Sequence, residues 1–492
     1  MTKSIKLALV AAMAMGATSA FATNGDALIG TGAKSRAMGG TGVAHYNGSE
    51  SATTNPALIT KSKGTHFTFG GTYFRPSVEV QTSNTLAGSG LDGANDGTAK
   101  SDAKHNVIPY VSLTENLGNG WAVGASMFGS AGMGTDWRSS APLGDANMMT
   151  NPGFAGFINQ GDQDPFGNYA NVNGTGGGEL GLYSMRSNLL LLKFSVPIAY
   201  GQDNWSVGIA PVLMYGSLDI SFQSPDRYFV GNNFLGGGTI DPLDGSLGYS
   251  ALFNGGANSV GNGSSSSFGL GLEIGGQYTL PDMGVTLGAT YHSSIEMEYK
   301  GQISTAASAF GYGTPGAAFG AFSDKLEQPA EYALGVDWTE GDISLTADWK
   351  NIRWGNARGY QDFGWENQNV YALGAEFRMD DLALRLGYNY AKNPIKNSTD
   401  TTAVNNGGGA ITNANTNGDT LNALNAVMFP AITERHYTIG AGYQFTKNVG
   451  ADLAVTYATS PDATYNADSV GLGTIKVTND QIAVSANLNY SF

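Results

Sequence analysis

The feature that most constrains this chain is a two-residue hydrophobic period that runs unbroken to its last residue. From Gln481 to Phe492, the residues Ile482, Val484, Ala486, Leu488, Tyr490 and Phe492 share one face. Gln481, Ala483, Ser485, Asn487, Asn489 and Ser491 share the other. Side chains of a strand point alternately to opposite sides, so this pattern predicts a strand with one apolar and one polar face. The period recurs in fourteen segments, near 65–75, 107–115, 120–130, 185–199, 204–222, 268–280, 284–299, 330–339, 342–352, 369–379, 382–391, 435–445, 448–459 and 480–492. A soluble sandwich would also alternate. The connections decide between the two: short turns near 116–119, 200–203, 281–283, 340–341, 380–381 and 446–447 alternate with long loops throughout. A sandwich has no reason to sort loop length by end, whereas a transmembrane barrel does. Trp121, Trp205, Trp338, Phe377, Phe445 and Phe492 lie beside the short turns, as an interfacial aromatic girdle requires. The expected fold class is therefore all-β, a 14-stranded antiparallel transmembrane β-barrel occupying residues 65–492.

The N-terminus fits export. Lys3 and Lys6 precede an apolar run from Leu7 to Ala17, and Ala20-Phe21-Ala22 has the form of a cleavage site. Residues 1–22 are read as a signal peptide, with the mature chain starting at Thr23. The apolar run is too short to span a bilayer, and no later stretch reaches the length of a transmembrane helix. The chain has no cysteine, which excludes disulfides, thiolate metal sites and a lipidated N-terminal cysteine. Its formal charge is −15, and loss of Lys3 and Lys6 makes it more negative, so nucleic acid is not an expected partner.

Catalytic signals are weak. The five histidines, His45, His66, His105, His292 and His436, have no metal-type spacing. Gly176-x-Gly-x-x-Gly181 sits before a strand and not between strand and helix, so it is not a dinucleotide site. Inward-facing Glu273, Asp337, Asp348, Lys350, Glu376, Arg378, Arg385 and Asp452 are expected to pair with one another or with a plug, because barrel lumens are polar. No enzyme activity and no cofactor are expected. In the fifth segment, Trp205, Val207, Ile209 and Leu213 are in one phase and Leu218, Ile220 and Phe222 in the other, which predicts a bulge near Gly216. Residues 401–427 are close to low complexity and are expected to be mobile.

Residues 23–64 neither alternate nor suit lipid. Folding inside the lumen as a plug satisfies both constraints, since a 14-stranded barrel encloses more space than side chains fill. The stretches Thr23 to Asp26, Gly32 to Ala44 (including Gly39 and Gly40), and Thr54-Asn55-Pro56-Ala57 resemble the N-terminal hatch of the long-chain fatty-acid outer-membrane transporter (FadL) family, which includes aromatic-hydrocarbon transporters. On residues alone, Asn55-Pro56-Ala57 could be only a turn before the first strand. The resemblance implies a monomeric barrel with a hatch at 23–64 and passive, hatch-gated diffusion of hydrophobic molecules, long-chain fatty acids foremost. It implies ligand capture in a groove among external loops, for which Phe229, Phe234, Leu235, Phe253, Phe310, Phe319 and Phe322 are candidates. It also implies lateral release through a kink in the third strand, assigned to Gly129, Gly132 and Gly134. The terminal Tyr490 and Phe492 resemble the signal read by the barrel-assembly machinery. The expected partners are thus a hydrophobic ligand, outer-membrane lipid and that machinery, in the outer membrane of a Gram-negative cell. The alternatives are aromatic or alkane uptake on the same fold, or a general diffusion porin for hydrophilic solutes.

Overall fold

The computed structural model describes residues 23–84, 96–140, 183–223, 259–261, 263–309, 322–400, 417–468 and 473–492. The leader assignment and six of the seven proposed groove residues, Phe229, Phe234, Leu235, Phe253, Phe310 and Phe319, lie outside these ranges. Fourteen antiparallel strands form the wall, each bonded to its chain neighbour. They are β1 (Thr65–Ser83), β2 (Asn106–Gly118), β3 (Trp121–Asp136), β4 (Tyr183–Ser195, resuming at Ile198–Gln202), β5 (Trp205–Gln223), β6 (Ser265–Leu280) and β7 (Val285–His292). The second half comprises β8 (Glu331–Glu340), β9 (Ile343–Ile352), β10 (Gln368–Met379), β11 (Leu382–Ala391), β12 (Arg435–Gln444), β13 (Val449–Thr459) and β14 (Gly473–Ser491). The barrel closes by pairing β14 with β1, from Ser83 at one end to His66 at the other. Phe492 completes the seam, exchanging backbone hydrogen bonds with Thr65 at 3.0 and 3.1 Å. Closure removes the open edges that hydrocarbon would leave unsatisfied.

Burial follows the predicted alternation. On β14, Ile482, Leu488 and Tyr490 are exposed on the outer face, while Gln481, Ser485 and Asn487 are buried within. Phe69, Leu270, Leu334, Leu386 and Ile439 continue the outer apolar band around the wall. Among the described residues no helix is long and apolar enough to cross a membrane. The crossing is made by strands.

The lumen is layered. Towards the short turns the inward residues are polar: Thr114, Asp337, Glu376, Arg385, Asp452 and Asn487 are all buried. Towards the long loops most inward residues are apolar, with buried Thr135, Ser187 and Asn479 set among them. Val80, Met133, Leu189, Leu191, Leu218, Ile220, Phe222, Val370, Ile475 and Val477 join one core cluster. Two loop helices, α1 (Ile303–Ala309) and α2 (Asn417–Met428), supply more of it.

This layering corrects the expected bulge. The register of β5 with β6 runs without a shift from Trp205 to Leu218, and β4 pairs continuously across Gly216. The period holds, and the environments change sides: Leu213 faces lipid and Leu218 faces an apolar lumen. Gly216 instead makes room for a neighbour, because a Cβ there would stand 2.0 Å from the Tyr299 hydroxyl. The expected mobility of 401–427 is also corrected at its C-terminal end. Residues from 417 form α2, with Ala423, Leu424, Ala426 and Val427 buried. The predicted seventh strand ends early, at His292. The following chain turns over the lumen, burying Ile295, Met297 and Tyr299.

Candidate functional site: a plugged lumen and a kinked third strand

The N-terminal segment from Thr23 lies inside the barrel and is anchored on opposite walls. Its helix, Gly32–Ala37, donates the Ala33 amide to Asn487 of β14 at 3.0 Å. Thr438 of β12 donates to the Ala37 carbonyl at 2.9 Å and accepts from the Gly39 amide at 3.0 Å. Asn389 of β11 donates to the Gly39 carbonyl at 3.0 Å. Asp348 of β9 accepts from the Gly42 and Val43 amides at 2.8 and 3.0 Å. His45 meets Asp337 of β8 at 2.7 Å. Glu50 is held by Asn487. Its burial pushes that carboxyl up to about 8, against the pull of Lys34.

Sequence accounts for how closely the segment seats. Inward-facing glycines on the wall leave room for its backbone. A Cβ at Gly387 would lie 2.2 Å from the Gly39 nitrogen, and one at Gly288 would lie 2.2 Å from the Val43 oxygen. Gly39 and Gly40 themselves have φ of 70° and 87°, which L side chains rarely adopt, and a Cβ on Gly40 would strike the Ile29 carbonyl.

Asn55-Pro56-Ala57 is more than a linker. Pro56 opens a 3-10 turn, Pro56–Lys61, and Asn55 caps it by accepting from the Ala57 amide at 3.0 Å. The same side chain donates to the Val43 carbonyl at 2.6 Å and to the Gly276 carbonyl of β6 at 3.2 Å. One fully buried amide therefore ties two parts of the segment to the wall.

The third strand departs from its neighbour where its glycines cluster. β3 pairs with β2 only as far as Phe128 opposite Tyr110. Its register with β4 then shifts between Gly129 and Ala131. Above this point the hydrogen bonds go inward to the N-terminal segment. Ala27 pairs with Ala131, and the Gly132 amide donates to the Asp26 carbonyl at 3.1 Å. Gly134 lies tight against β4, where a Cβ would be 2.2 Å from the Ser187 carbonyl.

Three cavities follow from this arrangement. A polar vestibule of about 380 Å³ opens towards the short turns, between Lys34, His45, Glu376, Arg378, Arg385 and Asp452. Arg385 bridges Glu376 and Asp452 at 2.5 and 2.7 Å. A second cavity, about 110 Å³, sits at the kink. It is lined by Ala27 and Leu28 of the segment, Phe128 and Ala131 of β3, and Met214, Ile295, Ile352 and Trp354. Of the charged residues in its wall, Lys193 stands 2.8 Å from Glu273 and His292 3.8 Å from the same carboxylate. Above it Met133, Leu218, Ile303, Leu326, Phe363 and Phe429 close around only about 10 Å³, room for no more than a water. Tyr360 and Trp365 complete that wall, and Phe322 packs against Phe363 with ring centroids 5.0 Å apart.

Several of these residues escaped the sequence reading. Asp26 is fully buried on the N-terminal segment, and burial pushes its carboxyl up to about 7 despite a hydrogen bond from Tyr360. Tyr360 packs in turn with Trp354 and Trp365, the three ring centroids lying 4.7 to 5.3 Å apart. They lie in a loop with no alternation to mark them. No cluster of His, Asp and Glu that could hold a metal exists among the described residues.

The fold has solved counterparts. The *Pseudomonas putida* toluene transporter TodX aligns with a TM-score of 0.56 at 19% identity, covering 94% of this chain and 99% of that one. A *Pseudomonas aeruginosa* FadL homologue aligns at 0.59 and 16% identity, covering 95% and 100%. The *Ralstonia pickettii* toluene transporter TbuX aligns at 0.52 and 18% identity, covering 94% and 98%. A curated *Chlorobium limicola* protein, described only as an uncharacterized protein in the phosphoenolpyruvate carboxykinase gene 5' region, is 58% identical over 45 residues, which is 9% of this chain and 22% of that relative's length. The model of the outer membrane protein transport family OMPP1/FadL/TodX matches residues 7–151 and 177–410, more than half of the sequence. With a closed 14-stranded barrel and that match together, the chain belongs to the OMPP1/FadL/TodX family of outer-membrane transport proteins, a family of transporters and not of enzymes.

Proposed function

We propose that this protein carries hydrophobic small molecules, long-chain fatty acids foremost, across the outer membrane by passive, hatch-gated diffusion. The observation that carries this reading is the apolar outer half of the lumen. A general porin needs a water-filled polar channel there. The route begins among the long loops, where Phe229, Phe234, Leu235, Phe253, Phe310, Phe319 and Phe322 offer apolar contacts. It continues into the apolar lumen and reaches the cavity at the β3 kink. Movement of the hatch, residues 23–64, then frees the ligand sideways between β2 and β3 into the bilayer, with Gly129, Gly132 and Gly134 forming the gate.

The energetics suit such a device. Burying a methylene is worth about 0.8 kcal/mol, so a chain of ~15 carbons gains on the order of 10 kcal/mol gross. Release requires a second state that binds less tightly, and hatch displacement reshapes the pocket to supply it. The barrel acts as a monomer in this reading, inserted through a terminal signal at Tyr490 and Phe492.

Aromatic-hydrocarbon uptake is the second reading. The ring cluster of Trp354, Tyr360 and Trp365 favours it, and two of the aligned structures are of toluene transporters. Mass spectrometry of lipid co-purifying with detergent-extracted protein separates the two readings: fatty acids support the first, and their absence beside bound aromatics supports the second. Single-channel recording tests both. Steady, large conductance would exclude a hatched transporter.

A further inference from the structure

Four of the polar side chains set into the outer lumen share one target. Thr135 of β3 donates to the Val427 carbonyl at 2.8 Å. Ser187 of β4 donates to the Met428 carbonyl. Asn479 of β14 donates to the Pro430 carbonyl at 2.9 Å, and Gln481 of the same strand donates to the Thr433 hydroxyl at 2.8 Å. Trp137, just beyond β3, adds a second donor to Val427. All of these bonds end on the C-terminus of α2 and the strap that follows it. Around the wall, β4 is separated from β14 by β3, β2 and β1, so the strap reaches across that arc of the barrel mouth.

The segment is also enclosed. Every residue from 418 to 433 is buried, whereas a loop running over a surface leaves part of itself in solvent. Leu421, Leu424, Val427, Phe429 and Ile432 join the main apolar cluster. Phe429 lines the closed chamber of about 10 Å³ and packs against Phe363 with ring centroids 6.0 Å apart. No alkyl chain or ring fits that space while Phe429 is seated. The way the segment is held suits a part that lifts. The last carbonyls of a helix lack partners within it, and here side chains of the wall supply them. Water replaces such donors once the strap rises, so each bond holds only weakly.

We infer that residues 417–433 form an external plug, latched by Thr135, Ser187, Asn479 and Gln481, which must lift before a hydrophobic ligand enters the apolar lumen from the long-loop side. The inference rests on the transport reading above and adds a second gate to the hatch. A gate differs measurably from a binding residue. Easing a gate speeds entry and exit by the same factor and leaves Kd unchanged, whereas altering a site changes Kd.

The test uses the full mature protein in nanodiscs. The chain has no cysteine, so Ala426→Cys places a single thiol on a buried position of α2. Its rate of modification by a charged thiol reagent reports opening of the plug. Asn479→Ala combined with Gln481→Ala removes two latch bonds and should raise that rate about thirtyfold. Thr135→Val removes one, keeps the side-chain shape, and should raise it about fivefold. The association and dissociation rates of a fluorescent polyene fatty acid, followed by stopped flow, should rise by the same factors, with Kd within twofold. Heat-modifiable gel migration confirms that each variant barrel is folded, and Thr135→Val serves alone should the double variant fail to fold. Unchanged thiol modification would overturn the latch. Faster modification with unchanged ligand rates would overturn the plug as an entry gate, and a shifted Kd would make these residues part of a binding site. Each of those results leaves the transport reading standing. Failure of the unaltered protein to bind the fatty acid would overturn both.

Discussion

Asn55→Ala is the sharpest perturbation of the proposed hatch. The side chain is fully buried and makes three hydrogen bonds, to the Ala57 amide, the Val43 carbonyl and the Gly276 carbonyl. Loss of the cap costs about 1 kcal/mol. The two stranded carbonyls add about 1 kcal/mol each, since they remain buried or partly buried without a donor. The total, about 3 kcal/mol, corresponds to roughly a hundredfold rise in the undocked population. None of these bonds belongs to the pairing of the wall strands, so the barrel itself should be untouched. Hydrogen–deuterium exchange with mass spectrometry reads this directly. Peptides covering residues 40–58 should lose protection by about two orders of magnitude, while peptides from β8 to β14 keep theirs. Asn55→Asp should fall between, because it retains the acceptor for Ala57 and loses both donations. Hatch protection within twofold of the unaltered protein would refute the reasoning. So would an equal loss in the wall strands, which would make Asn55 a fold residue and not a hatch residue.

Other expectations follow from single contacts. Gly387→Val places a Cβ where the Gly39 nitrogen lies 2.2 Å away, so the barrel should fold with its hatch unseated; planar-bilayer conductance should rise, and unchanged conductance would count against seating by backbone contact. Trp137 donates Nε1 to the Val427 carbonyl at the end of α2 at 2.9 Å, while Thr135 donates to the same oxygen at 2.8 Å. Trp137→Phe should therefore cost about 1 kcal/mol and speed exchange of α2 about fivefold, leaving the rest of the barrel unaltered. Docking of the hatch should strengthen as pH falls. Burial raises Glu50 to about 8 and Asp26 to about 7, so the docked form binds more protons than the undocked one. Stability is then gained as pH drops through these values and levels off near the ordinary carboxyl range of about 4. Lys34, Arg385 and Asp452 act on Glu50, and Tyr360 and Gln328 act on Asp26. Hatch exchange, corrected for intrinsic rates, should slow from pH 8.5 to pH 6, and acceleration would contradict the assignment.

The wall was legible because its signal is local. A strand between lipid and lumen must alternate, whatever its distant partners, so β8 and β11 could be placed within a residue of their observed ends. The period gave the number of strands, loop sorting their direction, and the non-alternating polar stretch 23–64 the plug. Three things needed the third dimension. Leu218 and Ile220 read as a bulge because inward was taken to mean polar everywhere; only the fold showed an apolar outer lumen. Nothing in the sequence marked the glycines at 288 and 387 as the seat of the hatch backbone. Asp26 belonged to the Thr23–Asp26 stretch of the hatch motif, but nothing in the sequence marked it as buried against Tyr360.

The same division holds for the final strand. Gln481 to Phe492 by itself determined a one-sided strand with an aromatic end. It could not show that Asn487 holds Glu50 and the Ala33 amide, or that Phe492 closes the seam with Thr65. Those contacts join residues more than four hundred positions apart. Alternation records only which side a residue faces, and the tertiary structure decides what it meets there.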